Sequence, residues 1–142
     1  MALLVGCAHL PVAERDYYQA LNKELRAKKI GRPVILIDLD LLDQNLEVMK
    51  RHLQEPLHFR AVEKSLPSPD LLNYILDKSG SHRVMVFHHP FLKTLLTTLP
   101  ADTDFLFGKT IPVDGVAEFF AQLDEAQRAD ATARVQWLID SP

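Results

Sequence analysis

A single cysteine, Cys7, stands among the 142 residues, which excludes an internal disulfide framework and any Cys-x-x-Cys metal or redox motif. No apolar run approaches the roughly 18 residues needed to cross a bilayer, so no membrane span is expected. Basic excess is also missing. Sixteen Lys and Arg stand against 19 Asp and Glu, a net charge of -3 that has nothing spare to neutralise phosphates. No nucleic-acid partner is therefore expected. No His-x-x-x-His or His-Glu-x-x-His spacing occurs, so the histidines present no recognisable metal motif. What remains is 47% hydrophobic and 25% charged, ordinary for a globular chain. Its length suits about one domain, with roughly two thirds of the unfolded surface available for burial.

The N-terminus contains Leu4-Val5-Gly6-Cys7, which is similar to the cleavage and lipid-attachment motif of bacterial lipoproteins. The charged n-region and longer apolar stretch of a secretory signal are missing. As written, the chain is expected to be cytoplasmic. A start further upstream would restore the alternative, a periplasmic lipoprotein anchored through Cys7.

After Pro11, Tyr17, Tyr18, Leu21 and Leu25 recur at helical spacing. Arg26, Lys28 and Lys29 suit the negative end of the helix dipole, and Gly31 with Pro33 should stop the helix. Val34-Ile35-Leu36-Ile37 then reads as a short strand buried on both faces. Asp40 can cap the next helix, whose stripe is Leu42, Leu46, Met49 and Leu53. The grammar repeats. Leu57 to Val62 predicts a second strand, and Ser68-Pro69 an N-cap followed by a helix-starting proline. That helix presents Leu71, Leu72, Ile75 and Leu76 and ends at Gly80. Val84 to Phe87 is a third strand, followed by a helix through Phe91, Leu92, Leu95, Leu96 and Leu99. Phe105 to Phe107 is a fourth, with Val116, Phe119, Phe120 and Leu123 on one helix behind it. Val135 to Ile139 is a fifth. Such βα alternation implies an α/β fold with a parallel sheet and right-handed crossovers.

Strand starts near 34, 57, 83, 103 and 134 give units of about 20 to 31 residues, compatible with a (β/α)8 TIM barrel of about 250 residues. Ser141-Pro142 repeats the helix-start signal of Ser68-Pro69, so the expectation is the N-terminal part of a longer protein. Residues 1–32 would be an N-terminal extension and helix, and 33–142 a partial barrel lacking its C-terminal portion. The alternative is a five-stranded flavodoxin-like parallel sheet. A barrel edge left open predicts dimerisation or poor solubility.

Asp38-Leu39-Asp40 has the Asp-x-Asp pattern of haloacid-dehalogenase-like phosphatases, but Leu41-Leu42 follows where that family needs small residues. A helix cap explains the pattern better. His88-His89 lies past the third strand, at the rim where parallel α/β proteins bind ligands. Adjacent strand residues point to opposite faces, so the pair should not converge on one metal. Lys64 ends the second strand and Lys109 follows the fourth. A lysine at a strand's carboxyl end faces a barrel mouth, where desolvation and neighbours can tune it for imine chemistry.

The segment Val34 to Asn45 resembles the first strand and helix of fold-type III pyridoxal-phosphate enzymes, the alanine racemase N-terminal domain. The branch it resembles includes D-threonine aldolases and D-serine dehydratases. Those enzymes carry an Arg, three residues, the cofactor lysine, a short turn and a Ser-Pro helix start. Arg60, Lys64 and Ser68-Pro69 match that spacing. The resemblance runs from about Gly31 to Pro142. Many relatives have a His at the position of Val62 and Thr-His-Lys at Ser65-Leu66-Pro67, so a different substrate is implied. On the resemblance, Lys64 would be the catalytic residue holding pyridoxal 5'-phosphate, with Arg60, His88 and Lys109 as lesser candidates for cofactor contact. The implied activity is that of a lyase or racemase acting at Cα of a small-molecule amino acid, with these residues alone expected to be inactive. A divalent metal would belong to a C-terminal region outside this sequence. The alternative is a non-catalytic pyridoxal-phosphate carrier sharing the barrel.

Overall fold

The computed structural model describes residues 12–65 and 68–140. The lipoprotein-like segment with Cys7, the Leu66-Pro67 pair and the Ser141-Pro142 signal lie outside them. Two compact units divide between Ile37 and Asp38.

The first unit holds α1 (Val12–Ala27). Its end is set by Lys29, not by Gly31. Lys29 adopts a left-handed φ of 53°, and its N–H donates to Arg26 O while that of Ile30 donates to Leu25 O. These are the paired closing bonds of a Schellman cap. The expected strand Val34 to Ile37 does not form. The run pairs with no described strand and is exposed throughout, with Ile35 at 79%. A strand exists only through its ladder, and β-branched composition cannot replace a partner.

The second unit is an α/β structure. Asp38 caps α2 (Leu39–His52), its carboxylate accepting from the Leu41 N–H at 3.0 Å. Asp40, the expected cap, lies instead in the first turn, where its charge still suits the dipole. Then come β1 (Ala61–Val62), a 3-10 turn (Glu63–Ser65), α3 (Pro69–Ser79), β2 (Arg83–Val86), α4 (His89–Thr98) and β3 (Asp104–Phe107). The chain continues through α5 (Val113–Ala121), α6 (Glu125–Arg134) and β4 (Val135–Trp137). Ser68 and Pro69 start α3 as expected, Ser68 Oγ accepting from the Leu71 N–H, and Gly80 closes it at φ 69°. The single helix expected after β3 is two. Asp124 and Gln127 form a reciprocal capping box, and that restarts the chain as α6.

The four described strands are all parallel and lie in the order β1-β2-β3-β4. Five strands were expected, and the missing one is Val34 to Ile37. A flavodoxin-like order would insert another strand between β1 and β2, yet Ala61 pairs directly with Val84.

Alternation along the strands separates two faces. Ala61, Val84, Val86, Phe105, Phe107 and Val135 join Leu72, Leu76, Leu92, Leu95, Phe119, Leu123 and Ala131 in one buried cluster. Helices α3 to α6 therefore cover a single face. Burying each large side chain there contributes about 1.5–3 kcal/mol. The opposite face carries Val62, Arg83, Met85, Asp104, Leu106 and Gln136, none of them fully buried. We call it the open face.

Candidate active site

The two ends of the open face differ in chemistry. At the amino ends of the strands, Arg60 donates to both carboxylate oxygens of Asp104, at 3.1 and 3.0 Å. It also donates to the carbonyls of Val84 and Asp104. Gln136 adds a bond to Asp104 at 2.9 Å, and Arg83 stands 4.0 Å from it. The result is a closed polar floor.

At the carboxyl ends, β1 runs into the 3-10 turn that carries Lys64. Its Nζ lies 4.7 Å from the centroid of the Phe87 ring. Phe87 follows β2 at an open-face position, and its ring occupies the space beside Gly108. A Cβ on Gly108 would stand 2.5 Å from the Phe87 ring and 2.8 Å from Met85. Glycine there is what lets the ring lie flat under the lysine. Lys64 itself is exposed.

Arg60 and Lys64, four residues apart, thus occupy opposite ends of the sheet. Arg60 is committed to Asp104, while Lys64 stands at the carboxyl rim. His88 also reaches that rim, exposed at the N-cap position of α4 but making no side-chain cap bond. Lys109 is exposed just beyond β3. The histidine pair diverges as expected. His89 turns into an aromatic cluster, with ring centroids 4.8 Å from Phe107, 5.5 Å from Phe119 and 5.9 Å from Trp137. Its Nε2 is buried without a hydrogen-bond partner among the described residues. Burial, then the charges of His88 and Lys109, push its pKa below the usual 6.5, against a smaller opposing effect of Glu118.

One residue at the rim escaped the sequence reading. Glu63 is 3% exposed and its Oε2 has no hydrogen-bond partner among the described residues. Burial raises its pKa above the usual 4.5, and His88 partly offsets that. In the structure Ala61 is buried, Val62 exposed and Glu63 buried, so the carboxyl falls where the alternation demands an apolar group, a phase that the sequence alone does not fix.

A cavity of about 480 Å³ lies elsewhere, between the end of α3 and the approach to β3, lined by residues such as Asn73, Asp77, Ser81 and Thr103. It is at the amino ends of the strands, whereas parallel α/β proteins place their chemistry at the carboxyl ends. Among the described residues no group of three or more His, Cys, Asp or Glu could hold a metal ion. No described helix is long and apolar enough to cross a membrane.

No family model, curated protein or solved structure matches the chain.

Proposed function

We propose that this chain is part of a (β/α)8-barrel enzyme that uses pyridoxal phosphate to act at Cα of an amino acid. The observation that carries the reading is Lys64, an accessible amine at the carboxyl end of β1, on the face that the helices leave open. The sequential parallel order β1-β2-β3-β4, with helices on one face only, supports a barrel. In a barrel the open face becomes the interior and the Lys64 end becomes the mouth.

The residues present fit the cofactor at its point of attachment. Lys64 Nζ is accessible, and the Phe87 ring 4.7 Å away offers a flat apolar surface beside it. Lys109 adds positive charge beyond the next strand but one. When bound, pyridoxal phosphate supplies the electron sink for cleaving a bond at Cα. Lys64 would hold it covalently through Nζ. When not holding the cofactor, the same Nζ would be the group that moves a proton at Cα. Arg60 takes no part, since its guanidinium is spent on the polar floor.

Titration with pyridoxal phosphate, followed by absorbance, tests the reading. The wild-type chain should develop an imine band near the edge of the visible, and Lys64→Ala should lose at least nine tenths of it. A band that survives Lys64→Ala moves the attachment elsewhere, with Lys109 next to test. No band in either protein overturns the reading. Assays with D-threonine and D-serine, with and without a divalent metal, then address the substrate.

A further inference from the structure

Glu63 stands immediately before Lys64, in the same 3-10 turn, yet faces the other way. Lys64 projects over Phe87 on the open face, whereas Glu63 is buried to 3% with Oε2 unpartnered. A neutral carboxyl survives in such a place at modest cost. A carboxylate is disfavoured there, because a charge drawn partly out of water with no partner on the buried oxygen is not compensated. The surroundings offer no remedy. Helix α3, packed on β1, contributes Leu72 and Leu76 to the core around Ala61. At the end of β2, His88 is the titratable side chain among the described residues whose field acts on Glu63, and no hydrogen bond joins the two. The element under load is also weak. A 3-10 turn has poorer hydrogen-bond geometry than an α-helix and yields first.

We propose that Glu63 is a positioning residue for Lys64: as the neutral acid it holds the turn Glu63–Ser65 closed, with Lys64 over Phe87, and as the carboxylate it opens the turn and moves Lys64 off that ring. Proton uptake at one buried carboxyl thereby sets the place of the neighbouring amine. The proposal concerns the site read above as the cofactor's anchor, and its first test does not need the cofactor.

Hydrogen exchange of the amides from Ala61 to Ser65, corrected for the intrinsic rate, is followed from pH 4.5 upward. Linkage requires the opening equilibrium to rise about tenfold per pH unit between the ordinary carboxyl value of 4.5 and the raised value in the closed turn. Glu63→Gln and Glu63→Met, both uncharged and of similar volume, should abolish that rise. Two variants guard against one failing to fold, and near-ultraviolet circular dichroism reports which have. Equal pH dependence in the wild type and a folded variant overturns the proposal, as does a pH-independent turn in the wild type. The second readout is the fraction of Lys64 trapped by pyridoxal phosphate and borohydride across the same range. It should fall with rising pH relative to Glu63→Gln. If Lys64 is not trapped at any pH, the cofactor reading fails while the exchange result still decides the role of Glu63.

Discussion

At Arg134 one guanidinium closes four contacts. It donates to the carbonyls of Thr103, Leu96 and Pro100 and pairs with Asp130 at 2.8 Å. It also lies over the Phe105 ring. Arg134→Ala removes a donor from three carbonyls where α6 meets the α4–β3 connection, of which Pro100 O keeps the Thr103 N–H. The loss should be about 3 kcal/mol, read as a lower urea midpoint at unchanged m-value. Two other residues give stability a dependence on pH. His89 has a lowered pKa in the fold, so its contribution is present above about pH 6.5 and is lost as pH falls through the lowered value. Glu63 works in the opposite sense. Its contribution is complete below 4.5 and is lost as pH rises through its raised value. Between pH 7.5 and 5.5, His89→Gln should therefore lose less melting temperature than the wild type, and an equal loss would rule His89 out as the source. Lys64 was legible at this scale only as one of two rim lysines, with Lys109 of equal positional merit; the spacing of Arg60, Lys64 and Ser68-Pro69 separated them. The buried carboxyl beside it was not, because an isolated Glu in a sequence carries no sign of its burial until the phase of the alternation is known.

Helices were more legible than strands. Their starts depend on local side chain to backbone bonds, as Ser68 at α3 and the box at α6 illustrate. Asp124→Ala removes the α6 box and should cost about 1 kcal/mol, with faster hydrogen exchange confined to the first turn of α6. Exchange that quickens evenly across α5 and α6 would mean that the pair unfolds as one element. The box itself was readable in Asp124-Glu125-Ala126-Gln127, but the apolar stripe from Val116 to Leu123 drew attention to a single helix. Strands failed where they depended on distant partners. Val34 to Ile37 has ideal composition and no ladder, and the second strand shrank from Leu57–Val62 to Ala61–Val62. At the end of α1, Gly31 looked like the stop, yet Lys29 takes the left-handed position at a cost of about 1–2 kcal/mol for a side chain with a Cβ. No local rule marks a lysine for that role.

For the whole second unit, the class was legible from βα alternation and the strand order was not. Direct pairing of β1 with β2 favours a sequential sheet, and the one-sided cover of α3 to α6 follows from right-handed crossovers in such a sheet. That arrangement gives the molecule its polarity: a polar floor of Arg60, Asp104 and Gln136 at one end, and Lys64 with Phe87 at the other. Function on this account belongs to the second end alone. The most direct test is to mix the chain with equimolar pyridoxal phosphate, reduce with borohydride, digest, and locate the pyridoxyl adduct by mass spectrometry. The account predicts one dominant adduct on the peptide containing Lys64. An adduct dominant on Lys109, or spread evenly over the exposed lysines, would contradict it.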